Sequence, residues 1–276
     1  MRKRSFVSKL VGAPYYVWAA IFIVVPLGMV AYYAFTDGEG GFTLANFAAL
    51  NNPSYLKSLW MSVVYSLAAT VISLVVAYPF AYAMSRMKVN TQRMLLLLVM
   101  LPMWMNLIIR TYSLQNIIEN SGIINSLLEG IGLPKVQMMN TSGAVIFAMV
   151  YNYLPYMILP IYTVMSKIDP GLLEAADDLG ANAWQRIRRV VMPLSVPGVI
   201  SGVTMVFVPS VSTFYISKAM STGMINLVGD IIESKMKEEL NYNVGSSLSL
   251  VLMIMIILSI AIMNRFSDSE EGGVIA

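Results

Sequence analysis

The sequence predicts an all-α integral membrane protein with six transmembrane helices, and three observations lead there. Of the 276 residues, 57% are hydrophobic and only 12% charged, with a mean hydropathy of +0.69, whereas soluble domains carry about 25% charged residues. Six long stretches lack Asp, Glu, Lys and Arg, and a membrane-spanning helix needs roughly 20 mostly apolar residues. Basic residues are also concentrated in alternate connections, as membrane topology requires. The chain has no Cys and no His, which excludes disulfides, thiol chemistry, histidine acid–base work and the common zinc sites. In a membrane protein, a formal charge of +3 belongs with the anchoring of loops rather than with nucleic acid.

The charge-free stretches are 11–36, 58–85, 94–109, 136–166, 190–217 and 240–264. They predict spans at about 14–35, 59–85, 94–113, 141–165, 193–216 and 245–264, in a single domain of 276 residues. The first follows Met-Arg-Lys-Arg and so mimics a signal peptide. Its apolar run is long and no small-x-small cleavage site follows, so an uncleaved helix is expected. The third is short and ends at Arg110. Pro26, Pro79, Pro102, Pro155, Pro160, Pro193, Pro197 and Pro209 lie within or at the ends of spans. Each proline bends its helix and frees a carbonyl, which in lipid must find a partner inside the protein; proline is also commoner in membrane helices than in soluble ones. Segments 114–133 and 224–240 have helix-like apolar spacing and are expected to lie along the interface or fold back. The tail, 267–276, is polar and then small, and is expected to be disordered.

With six spans both termini share one side. That side holds Arg2, Lys3, Arg4, Lys9, Arg86, Lys88, Arg93, Lys167, Arg186, Arg188, Arg189 and Arg265, twelve of the 18 basic residues. Lys57, Arg110, Lys135, Lys218, Lys235 and Lys237 lie opposite. The positive-inside rule therefore places both termini in the cytoplasm.

The loop between spans four and five, 167–192, is readable in detail. Asp169 suits an N-cap and Pro170 the first helical position. Leu172, Ala175, Ala176 and Leu179 form an apolar stripe, with Glu174, Asp177 and Asp178 on the more exposed remainder. Gly180 offers a left-handed cap that ends the first helix. A second short helix, carrying Trp184 and three arginines, is expected to end near Pro193, or to pass there into span five.

Glu174-Ala175-Ala176, three residues, Gly180, nine residues and Val190-Val191-Met192-Pro193 resemble the EAA loop of binding-protein-dependent ABC permeases. Val190 and Met192 depart conservatively from the usual Ile-x-Leu-Pro ending. The resemblance implies the type I ABC importer permease fold. It gives the loop, through Glu174, Ala175, Ala176, Asp178, Gly180, Arg186 and Pro193, the role of coupling to an ATPase. The chain has no Gly-x-x-x-x-Gly-Lys-Ser/Thr loop, so ATP and Mg are expected on a partner ATPase dimer and no cofactor on this chain. A second permease subunit forming a heterodimer, an extracytoplasmic polyamine-binding protein and the lipid bilayer are the other implied partners, with no nucleic acid.

Pro102-Met103-Trp104-Met105-Asn106-Leu107-Ile108-Ile109-Arg110-Thr111-Tyr112 is similar to a stretch of spermidine/putrescine permeases. So are Tyr153-Leu154-Pro155-Tyr156, Phe214-Tyr215-Ile216-Ser217 and Leu227-Val228-Gly229-Asp230. This implies polyamine transport; sister families use the same scaffold for iron, sulfate or phosphonates. Polyamine permeases can carry an acid after Phe-Tyr-x-Ser, where this chain has Lys218, and none of the spans holds an acid. Trp104, Tyr112, Tyr151, Tyr153, Tyr156 and Tyr215 are therefore the candidate path residues, through cation–π contacts of roughly 0.5–2 kcal/mol each. Any one of them could instead be a packing or interfacial ring. A secondary transporter would mark its path with buried ionisable residues, and a membrane-embedded enzyme needs His, Cys or clustered carboxylates; apart from Arg110 at a span end, the spans supply neither pattern.

Overall fold

The computed structural model describes residues 14–271. The basic start, Arg2 to Lys9, and the last part of the expected tail, 272–276, lie outside the described residues. In chain order the helices are α1 (Pro14–Phe35), α2 (Pro53–Ser85), α3 (Val89–Met100), α4 (Leu107–Ile118), α5 (Ile123–Gly130) and α6 (Ser142–Met165). Then come α7 (Pro170–Asp178), α8 (Ala183–Val211), α9 (Tyr215–Ser221), α10 (Val228–Glu233) and α11 (Tyr242–Glu271). Of these, α1, α2, α6, α8 and α11 are long and apolar enough to cross a membrane.

The expected third span is not one straight helix. From α3 the chain passes through a 3₁₀ turn, Leu101–Trp104. It then extends at Met105 and Asn106, and the two halves, Val89–Trp104 and Leu107–Gly130, are bent by 96°. Pro102 lies at the break, and the Asn106 side chain restarts the helix by accepting from the Ile108 amide at 2.8 Å, the usual role of an N-cap. Counted as one broken span, this pair brings the total to six. Of the two expectations at Pro193 the second holds: helix α8 runs unbroken from the loop into span five, with Pro193 just after a π-helical turn, Ile187–Val191. One further expectation is corrected. The last helix continues to Glu271, past the start of the expected disordered tail.

The chain forms two compact units. In the first, Met1–Lys57 with Ile231–Ile254, the last carbonyls of α1 accept from two side-chain amides. Asn46 donates to Ala34 and Thr36 at 3.1 and 2.8 Å, and Asn243 to Tyr33 and Thr36 at 3.1 and 2.5 Å. Helix α1 is almost uncovered by the rest of its chain. In the second unit, Ser58–Asp230 with Met255–Ala276, α6 is the most buried span and packs mainly on α8. Gly198 and Gly202 make that approach possible. A Cβ on Gly198 would lie 2.9 Å from the Pro160 carbonyl oxygen and 3.1 Å from Ile161 Cα. One on Gly202 would lie 2.8 Å from Met157 Sδ. Small residues that let backbones approach are the usual means of joining helices in lipid, where burial itself supplies no drive.

Candidate functional site

The segment between α6 and α8 follows the local rules closely. Asp169 Oδ1 accepts from the Gly171 amide at 2.9 Å, and Pro170 occupies the first turn of α7. At the other end Gly180 is left-handed, with φ +79°. The Gly180 amide reaches the Asp177 carbonyl at 2.9 Å and the Ala181 amide reaches that of Ala176 at 3.0 Å. This pair of bonds is a Schellman motif. Asn182 and Gln185 then form a reciprocal capping box, each bond 2.9 Å long, which starts α8. Arg186 Nη1 donates to Asp177 Oδ2 at 2.6 Å, tying α8 to α7 across the glycine.

The apolar stripe faces differently from expectation. Leu173 is the buried residue of α7 and joins the core cluster of Met165, Ile168 and Val191. Leu172 is 50% exposed, Leu179 89% and Trp184 64%; Ala175 is exposed and Ala176 half-buried. Glu174, Asp178 and Pro193 are exposed too, and Arg186 is half-buried. The predicted loop residues therefore share one hinged segment, whose apolar side chains are largely uncovered by their own chain.

Hydrogen bonds fasten this end of the bundle. Tyr162, on α6, donates to Gln92 Oε1 at 2.8 Å, while Gln92 Nε2 donates to the Met87 carbonyl at 2.8 Å, just beyond α2. The Tyr78 and Ser195 hydroxyls meet at 2.9 Å, joining α2 to α8. Arg86 lies over the Tyr82 ring, 5.6 Å from its centroid.

The candidate path residues fall into separate groups. Tyr112 and Tyr215 meet edge to face, 5.7 Å between centroids. Tyr153 and Tyr156 lie 6.4 Å apart; Tyr153 is buried, and its hydroxyl approaches the Pro209 carbonyl at 3.5 Å. Tyr151 and Trp104 are exposed, Trp104 by 74%. The 214–217 and 227–230 motifs come together. Ser217 Oγ donates to Asp230 Oδ2 at 2.7 Å, an oxygen that also accepts from the Leu227 amide at 2.7 Å. The Val228 amide donates to Ser62 Oγ at 2.8 Å, and a Cβ on Gly229 would lie 2.7 Å from the Thr213 carbonyl oxygen. Lys218 is exposed. Asp230 is thus a buried carboxylate beside the spans that the spans themselves do not contain.

The sequence reading missed one buried cation. Arg110, assigned by its position to a span end, is 4% exposed. Its guanidinium donates to Asn152 Oδ1 at 2.7 Å, to the Pro102 carbonyl at 2.8 Å and to the Asn152 carbonyl at 3.3 Å. The available signals were a proline eight residues before the arginine and a lone asparagine within an apolar span.

Residues 41–269 match the family described as binding-protein-dependent transport system inner membrane component. The spermidine/putrescine transport system permease protein PotB of Haemophilus influenzae is 36% identical over 266 residues, covering 94% of this chain and 93% of its own. PotB of Escherichia coli is 33% identical, covering 91% and 94%. The Escherichia coli inner membrane ABC transporter permease protein YdcU is 30% identical, covering 81% and 75%. A bacterial ABC transporter involved in the import of the acidic polysaccharide alginate shares the fold, with a TM-score of 0.78 at 17% identity over 97% of this chain and 96% of that one. The chain belongs to the family of binding-protein-dependent transport system inner membrane components.

Proposed function

We propose that this chain is the permease subunit that carries polyamines such as spermidine or putrescine inward across the cytoplasmic membrane. A separate ATPase dimer, holding ATP and Mg, drives it. A second permease subunit completes the channel, and an extracytoplasmic receptor delivers the cargo. Both termini and the 167–192 loop face the cytoplasm, in keeping with the distribution of basic residues.

The observation that carries this reading is the hinged segment α7–Gly180–α8. Its helix ends are satisfied internally, while Leu172, Leu179 and Trp184 remain exposed. An apolar set presented outward on a short capped helix and the first turn of α8 is what a socket in another subunit would cover. The cargo follows from the PotB relatives named above. Aromatic rings and carbonyls would guide a cation weakly, and weak successive contacts suit a conduit that must release what it carries.

Cross-linking tests the coupling role. The chain has no native cysteine, so Ala175→Cys supplies a unique thiol. Disulfide formation with a cysteine in the cleft of the ATPase, altered by nucleotide, is the expected result. Absence of any cross-link around the whole cleft would remove the segment from this role.

A further inference from the structure

We infer that Arg110 is a positioning residue, which ties the broken third span to α6 so that the break follows movement of the coupling segment. The inference rests on the ATP-driven reading above. Ionisable groups buried within membrane spans are costly and are kept for function.

Three features carry it. The first is what the guanidinium holds. At the break the Pro102 carbonyl accepts from the Met105 amide at 3.2 Å, and Arg110 adds a second donor at 2.8 Å. The other two bonds cross to Asn152, on α6. Asn152 is itself oriented, because its amide nitrogen donates to the Ala148 carbonyl at 2.8 Å and to Thr111 Oγ1 at 3.4 Å. Its oxygen is thereby left to face the arginine.

The second feature is the charge. Arg110 makes its bonds to neutral oxygens, and among the described residues no carboxylate pairs with it. A planar fork with fixed donors suits a link between three acceptors on two elements. A lysine ammonium is a point charge and cannot span them in the same way.

The third is where α6 leads. Below Asn152, α6 is locked to α8 by the close approaches at Gly198 and Gly202. Those two helices flank α7 and Gly180, so a displacement of the coupling segment moves them as a pair. Arg110 passes that displacement to the break and to α4, whose Tyr112 packs against Tyr215.

The test uses the complete transporter in vesicles: this chain, its partner permease, the ATPase and the loaded receptor. Uptake and receptor-stimulated ATP hydrolysis are measured together for Arg110→Ala, Arg110→Lys, Asn152→Ala and Asn152→Asp. Arg110→Ala, Arg110→Lys and Asn152→Ala should keep hydrolysis within about twofold while cargo moved per ATP falls tenfold or more. Asn152→Asp keeps an acceptor for the guanidinium but loses the amide donor to the Ala148 carbonyl, so its ratio should fall between that of Asn152→Ala and the unmodified one. Loss of hydrolysis and uptake in proportion, or an unchanged ratio, would overturn the proposal. If the Arg110 variants fail to assemble, the Asn152 pair decides, and failure of Asn152→Ala to assemble would make the contact one of folding alone. An unmodified complex that moves no polyamine would refute the cargo, not this link, which is then read with whatever cargo the complex moves.

Discussion

Arg186 reaches back across Gly180 to Asp177, Nη1 to Oδ2 at 2.6 Å, and clasps the short helix α7 to the start of α8. Both side chains are partly exposed, 28% and 46%, and ion pairs of this kind contribute at most about 1 kcal/mol. Their geometric effect is larger, because the pair bridges α7 and α8 across the Gly180 turn. Arg186→Ala should therefore leave the melting temperature of the purified subunit within about 2 °C while lowering uptake severalfold. Raising ionic strength should produce a milder form of the same loss. Uptake and thermal unfolding on one preparation check it.

Gly180→Val should uncouple uptake while leaving the protein inserted. There is open space around a Cβ at this position, but φ is +79°, so the obstacle is backbone strain rather than a clash. A left-handed β-branched residue costs on the order of 1–2 kcal/mol. Gly180→Asn, which tolerates that conformation, should retain most of the activity. Uptake normalised to membrane-inserted protein separates the two.

Gly198→Ala should destabilise more than Gly202→Ala. The first Cβ would meet backbone, the Pro160 oxygen at 2.9 Å and Ile161 Cα at 3.1 Å. The second would first meet Met157 Sδ at 2.8 Å, the flexible end of a side chain that can turn aside. Overpacking of this kind costs about 1–3 kcal/mol where the neighbours cannot move. Thermal unfolding in detergent should rank the two variants in that order.

The extent to which these features are legible in the sequence follows from their range. Asp169, Pro170, Gly180 and Asn182 act within a few residues of themselves, so the caps and the hinge are predictable from local chemistry. The phase of α7 is not local: Leu173, rather than Leu172, is buried and belongs to the core cluster that residues from other elements, such as Met165 and Val191, also form. Pro102 announces a bend but not a 96° break. The break is held by Asn152, 42 residues from Arg110, and no periodicity joins those two positions. The path aromatics are identifiable by residue type, and type alone does not distinguish buried Tyr153 from exposed Trp104.

That distinction yields a prediction for the tyrosines. Tyr153→Ala removes a buried ring, and such truncations cost about 3–5 kcal/mol, so its defect should include lower stability. Tyr112→Ala and Tyr151→Ala, both at exposed positions, should keep stability; if they contact cargo, uptake falls while the affinity of the receptor for cargo is unchanged. Tyr→Phe at each position should be mild, since the ring face remains. Uptake and receptor binding measured side by side check this.

Orientation can be tested independently. Single cysteines at positions 90 and 182 should be labelled by an impermeant thiol reagent only after the membrane is opened. The absence of native cysteine leaves no background, and labelling of either position from outside intact cells would invert the topology.

The central claim is that this chain conducts polyamines only when a separate ATPase acts on its coupling segment. The direct measurement is uptake of labelled spermidine or putrescine into vesicles holding the whole complex, with loaded receptor outside and ATP inside. The account predicts uptake that requires both ATP and receptor and is lost on Gly180→Val. Uptake that proceeds without ATP, or that is indifferent to the coupling segment, would contradict it.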